Sequence, residues 1–167
     1  MRAKTLARRL LSFPRLSIGK VKFAPDELGA EVLLIEVAVR GRARCSRCSR
    51  KCSCYDRQPP RRWRHLDFGS WQVELEGQLR RVACPKCGVV VEKVSWAEAG
   101  SWFTYPFEDV VTWMAQHTDK TAVSTMMRVA WRTVGAIIAR VVARKRQPID
   151  WTKVDAIAID ELSFRKG

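Results

Sequence analysis

Two short cysteine pairs carry the clearest chemistry in this chain, Cys45-Ser-Arg-Cys48 and Cys84-Pro-Lys-Cys87-Gly88. Each CxxC turn aims two thiols at one centre, and two such turns supply the tetrahedral four-sulfur set that zinc prefers. Pro85 presets one turn dihedral and Gly88 permits a left-handed exit, as a metal knuckle requires. Cys45, Cys48, Cys84 and Cys87 are therefore the expected ligands of a structural Zn²⁺. The 35 residues between Cys48 and Cys84 exceed the roughly 15–20 of a compact ribbon, so an inserted loop and a strand are expected there. Cys52 and Cys54 follow the first knuckle closely. Cys52 could compete with Cys45 or Cys48. The preferred reading leaves both as bystander thiols whose arginine neighbours favour the thiolate. His65 is read as structural or DNA-facing rather than as a ligand.

The cationic residues form the second chemical feature. The chain has 31 Lys and Arg against 17 Asp and Glu, a formal charge of +14, which favours a polyanionic partner. The signs are segregated: from Arg40 to Arg64 the only acid is Asp56, and from Lys120 to Pro148 there is none. Phosphate contacts are expected from Arg42, Arg44, Arg47, Arg50, Lys51, Arg61, Arg62 and Arg64. A composition 47% hydrophobic and 29% charged argues against a disordered chain, and no apolar run reaches the roughly 18 residues of a membrane span. Arg8 and Arg9 interrupt the apolar start, which makes a poor secretory signal. A cytoplasmic, nucleoid-associated protein with no membrane partner is expected.

These groups need elements to hold them. Residues 1–15 read as a short amphipathic helix or an unordered arm. Strand-like runs follow at Ile18–Ala24 and Ala30–Val39, joined by a turn at Asp26-Glu27-Leu28-Gly29, and the second feeds the first knuckle. Residues 71–82 alternate as one half-buried strand, with Trp71, Val73, Leu75, Gly77, Leu79 and Arg81 on one side, running into the second knuckle. Two strands delivering two knuckles to one metal describe a zinc ribbon, in which metal replaces core. After Trp102 the period becomes helical. Helices are expected over about 107–117, 121–129 and 132–144, the first opened by Thr104 and Pro106 with Glu108 and Asp109 in its first turn. Three short, tightly linked helices match a helix-turn-helix, whose third helix would read base edges through Arg132, Thr133, Arg140 and Arg144. The expected fold class is α+β. A β-rich zinc-ribbon module spans 1–100, a helix-turn-helix module 101–147, and a linker with one further strand 148–167. On that strand Asp160 ends the apolar run Ala156–Ile159, where a carboxylate can hold a divalent metal beside phosphate chemistry.

The order of these parts resembles the front of insertion-sequence transposases of the ISL-three type. The resemblance is carried by the two knuckles, Arg-Trp-Arg-His-Leu-Asp, Arg80 to Gly88, the helix-turn-helix and Ile159-Asp160-Glu161-Leu162-Ser163-Phe164-Arg165-Lys166-Gly167. It implies that this last strand opens a ribonuclease-H-like catalytic domain and that Asp160 is the first of its Asp-Asp-Glu carboxylates. Mg²⁺ would then be a cofactor only where the full catalytic domain is present. Two-metal phosphoryl transfer needs several carboxylates, so a chain ending at Gly167 is expected to be truncated, binding DNA without cutting it. The implied partner is double-stranded DNA at terminal inverted repeats, with a homodimer left open. The alternatives are a stand-alone DNA-binding regulator or transposition inhibitor, and a zinc-ribbon RNA-binding protein.

Overall fold

A four-stranded sheet organises the N-terminal half of the chain. The structure is a computed structural model and describes residues 3–26, 28–146 and Thr152. The chain opens with helix α1 (Ala3–Leu10), which lays Ala7 onto the sheet and keeps Arg8 and Arg9 outside. Strands β1 (Leu16–Pro25) and β2 (Glu31–Val39) form a hairpin. The Asp26 carboxylate closes its turn by accepting from the N–H groups of Leu28 and Ala30 at 2.9 and 2.8 Å. Strand β4 (Arg61–Phe68) turns back through Gly69 into β5 (Trp71–Gly77), and β5 pairs in parallel with β2. The sheet order is β1-β2-β5-β4. Its buried face joins Ile18, Ile35, Trp63, Leu75 and Trp96 in one core. Gly77 allows the closest approach within this sheet, since a Cβ there would lie 2.7 Å from the Val37 carbonyl.

The single strand expected over 71–82 is two strands in two sheets. After Gly77 the chain breaks at Gln78 and Leu79, then resumes as β6 (Arg80–Cys84). The burial phase flips at the break: Val73, Leu75 and Leu79 are buried, but beyond it Val82 takes the inner position in place of Arg81. Strand β6 is central in a small sheet with β3 (Ser53–Arg57) and β7 (Gly88–Val91). The stretch between the knuckles thus holds three whole strands, not a loop and one strand. The ribbon has little core of its own: Ala43, Cys45, Val82 and Cys84 are its buried hydrophobic cluster, which is the situation in which a metal substitutes for packing.

Helices α2 (Tyr105–Met114), α3 (Lys120–Met127) and α4 (Trp131–Lys145) lie near the expected positions. The Asp119 side chain caps α3 by accepting from the N–H groups of Thr121 and Ala122. Arg128 ends α3 in a left-handed conformation (φ 53°), and only Arg128, Val129 and Ala130 separate it from α4. Ser124 Oγ donates to the Val129 carbonyl at 2.7 Å and fixes that turn. Phe107, Val111, Val123, Val134, Ile137 and Val141 form the core of the three helices. Strand β4 anchors them to the sheet: Arg64 N–H donates to Trp102 O, and Thr104 N–H donates to Arg64 O. His65 Nδ1 meets Thr104 Oγ1 at 2.8 Å, so this histidine is structural. No helix among the described residues is long and apolar enough to cross a membrane. The apolar strand expected within 148–167 lies outside the described residues.

Candidate zinc centre and nucleic-acid interface

The two knuckles meet on one side of the ribbon sheet. In the first, Cys45 N–H donates to Arg50 O and Ser49 N–H donates to Cys45 O, both at 2.9 Å, which curls Cys48 back toward Cys45. The second is the β6–β7 turn itself, where Cys84 pairs with Gly88 and Gly88 has φ 74°. The thiol sulfurs of Cys45, Cys48, Cys84 and Cys87 all lie within 4.8 Å of one another, and Cys48 Sγ is 3.6 Å from Cys84 Sγ. A tetrahedral zinc with bonds near 2.3 Å needs sulfurs roughly 3.8 Å apart. The four residues brought together are those expected, and they fit zinc.

The electrostatics of the tetrad favour a dication. Burial pushes the Cys84 thiol up, but the Lys86 and Cys87 N–H groups and the Cys48 and Cys45 thiols outweigh it and bring it to about 6. The Cys48 N–H likewise holds Cys45 below its ordinary value. Burial and the neighbouring thiols push Cys87 up to about 12. Cys45 and Cys84 are thus biased toward the thiolate a metal needs, while Cys87 keeps its proton until a metal compensates the charge. Cys52 packs against the tetrad without joining it, and its Sγ–H donates to Arg50 O at 3.4 Å. Burial, then the nearby sulfurs, raise its pKa, so Cys52 is a neutral thiol and not the thiolate its arginine neighbours suggested. Cys54 is exposed and bonds Asp56 O.

The cationic residues divide into two groups. Arg42, Arg47, Arg50 and Lys51 are exposed around the first knuckle, and their side chains have no ion-pair partner among the described residues. Arg44 lies beside them, half-buried on Ser49 O. Arg132 is exposed at the start of α4, with Thr133 half-buried next to it. The other arginines expected at the interface are engaged within the fold. Arg62 bridges Glu74 and Glu76 at 3.1 and 3.0 Å. Arg64 is buried, pairs with Asp67 and covers the Phe107 ring. Arg61 stacks on Trp63 and Trp102 and donates to Ser101 O at 2.8 Å.

On α4, two of the four expected base-reading residues point inward. Arg140 Nε and Arg144 Nη1 each lie 2.9 Å from the carboxylate of Glu108, which is 0% exposed and also accepts from Ser101 Oγ. Arg144 adds a second bond to Asp109 and lies over Tyr105. The polar stripe of α4 is therefore half surface and half ion cluster. Glu108 was not among the expected site residues. Its trace in the sequence is a carboxylate at a position that, with Phe107 and Val111, belongs to the buried face of α2. Asp160 lies outside the described residues.

Comparison with known proteins identifies two domains in the chain. Residues 41–88 match the zinc-finger of transposases IS204/IS1001/IS1096/IS1165, and residues 92–142 match the helix-turn-helix domain of transposase family ISL3. The chain is 43% identical over 173 aligned positions to the transposase for insertion sequence element IS1557 of Mycobacterium tuberculosis (strain H37Rv), covering 99% of this chain and 39% of that protein. It is 29% identical over 125 positions to the transposase for IS1001 of Bordetella parapertussis, covering 74% of this chain and 30% of that one. The chain thus spans less than half the length of the curated relatives it matches. No solved structure matches it. With a ribbon that gathers four cysteines and a three-residue turn joining its last two helices, the chain carries the zinc-ribbon and helix-turn-helix domains of the ISL3 transposase family.

Proposed function

We propose that this chain recognises the terminal inverted repeats of an insertion sequence as double-stranded DNA, using the zinc ribbon for backbone contacts and α4 for base edges. The observation that supports this best is the unpaired cation set: Arg42, Arg47, Arg50 and Lys51 on the ribbon, and Arg132 on the first turn of α4. A helix-turn-helix presents the N-terminal part of its second helix to the major groove. Arg132 is then the residue to read guanine, because a guanidinium can bond O6 and N7 together. Zinc is structural: Cys45, Cys48, Cys84 and Cys87 hold it, and it fixes the loop that carries the ribbon cations. Arg140 and Arg144, with Arg62 and Arg64, act as supports of the interface through their internal carboxylates.

Strand cleavage and joining belong to the whole transposase. In that reading residues 1–100 and 101–147 recognise DNA. Residues 148–167 lead into a ribonuclease-H-like domain, with Asp160 as its first Mg²⁺-binding carboxylate. Fluorescence anisotropy with a duplex carrying the element's end and a scrambled duplex tests the recognition role. The parent chain should prefer the end sequence, and Arg132→Ala should lose that preference more than it loses affinity for scrambled DNA. Equal losses on both duplexes would remove Arg132 from base readout.

A further inference from the structure

Lys120 is the first residue of α3, a place where a cation faces the positive end of the helix dipole. It does not serve the helix there, because the Asp119 carboxylate already caps the N–H groups of Thr121 and Ala122. Nor does it have an ion-pair partner among the described residues, and neither α3 nor α4 contains an acid. Its ammonium reaches across to α4 and sits 3.3 Å from the centre of the Trp131 ring. Gly135, one turn further along α4, leaves the space: a Cβ there would lie 3.0 Å from Lys120 Nζ. An aromatic face and a bare glycine therefore hold one uncompensated cation over the first turn of α4, next to exposed Arg132.

We infer that Lys120 is a preset phosphate contact, held by Trp131 and Gly135 so that the DNA backbone seats against the start of α4. The inference rests on the DNA-binding reading. In helix-turn-helix docking the first helix of the pair crosses the backbone while the second enters the groove. The N-terminus of α3 is then where a phosphate passes, and Lys120 is already fixed there. A positioned ammonium meets a phosphate without first surrendering side-chain freedom, so affinity gains from the cradle as well as from the charge. The contact is to backbone alone and carries no sequence preference.

The test uses the zinc-loaded chain and a random-sequence duplex, with affinity measured by anisotropy between about 50 and 200 mM salt. Lys120→Ala should reduce the slope of log affinity against log salt by about 0.9, one phosphate's worth. Across that range the parent then loses roughly 3.5-fold more affinity than the variant. Lys120→Arg should restore the parental slope, since a guanidinium also stacks on indole. Gly135→Ala should weaken binding without lowering thermal stability, because alanine favours the helix while its methyl displaces the ammonium. An unchanged slope in a folded Lys120→Ala protein would overturn the assignment while leaving DNA binding intact. A parent chain that binds no duplex at any salt would overturn both readings.

Discussion

Glu108→Gln is the substitution whose effect follows most directly from the geometry. The carboxylate is fully buried, accepts from Arg140 and Arg144 at 2.9 Å and from Ser101 Oγ at 2.8 Å, and joins the start of α2 to the end of α4. Glutamine keeps the shape and loses the charge, so Arg140 loses its counter-ion and Arg144 keeps only Asp109. Removing one partner of a buried pair costs about 3–5 kcal/mol. Here the arginine side chains are 32% and 22% exposed, so water relieves part of that, and about 3 kcal/mol is the working figure. For a chain of this length the midpoint should fall by roughly 6–12 °C. Thermal melts by circular dichroism with zinc present measure it. The double variant with Arg144→Gln should lose less than the sum of the single effects, with a coupling of at least about 1 kcal/mol. A Glu108→Gln midpoint within about 2 °C of the parent would refute the claim that this cluster locks α2 to α4.

Three further outcomes are expected. His65 is held at about 4, below its ordinary 6.5, by burial and then by the Arg64 charge. The unfolded chain therefore binds a proton that the folded chain refuses, and stability falls as pH drops from about 6.5 toward 4. His65→Asn should remove about 2 kcal/mol of the difference between pH 7.5 and 5 in urea titrations, and an unaltered pH profile would count against it. Gly77→Ala should be destabilising by more than the gain in chain stiffness, because its methyl meets the Val37 carbonyl at 2.7 Å; a midpoint equal to the parent's would show that β2 and β5 can yield. Metal analysis of purified variants should find zinc lost in Cys84→Ser and kept in Cys52→Ser and Cys54→Ser, and zinc lost from Cys52→Ser would place Cys52 among the ligands.

The sequence disclosed what depends on short spacing and hid what depends on distant partners. The tetrad was legible because each CxxC aims its own two thiols, and the helices because Phe107, Val111, Val134, Ile137 and Val141 recur at helical intervals. The switch from β5 to β6 was not legible, because alternation through Gln78 and Leu79 looks continuous until a second sheet imposes its own phase. The parallel pairing of β2 with β5 joins segments about forty residues apart and leaves no local trace. Arg140 and Arg144 looked like a solvent face because a polar stripe does not distinguish water from a buried carboxylate on another helix. Lys120 is illegible for the converse reason: its place at the wrong end of a helix dipole is informative only with Trp131 and Gly135 beneath it.

Footprinting the zinc-loaded chain on DNA that spans one end of its element tests the central claim most directly. A discrete stretch of the terminal inverted repeat should be protected at protein concentrations that leave flanking DNA uncovered, and that protection should be lost when zinc is chelated. Uniform protection of repeat and flank, or protection that survives removal of the metal, would contradict a zinc-organised reader of transposon ends.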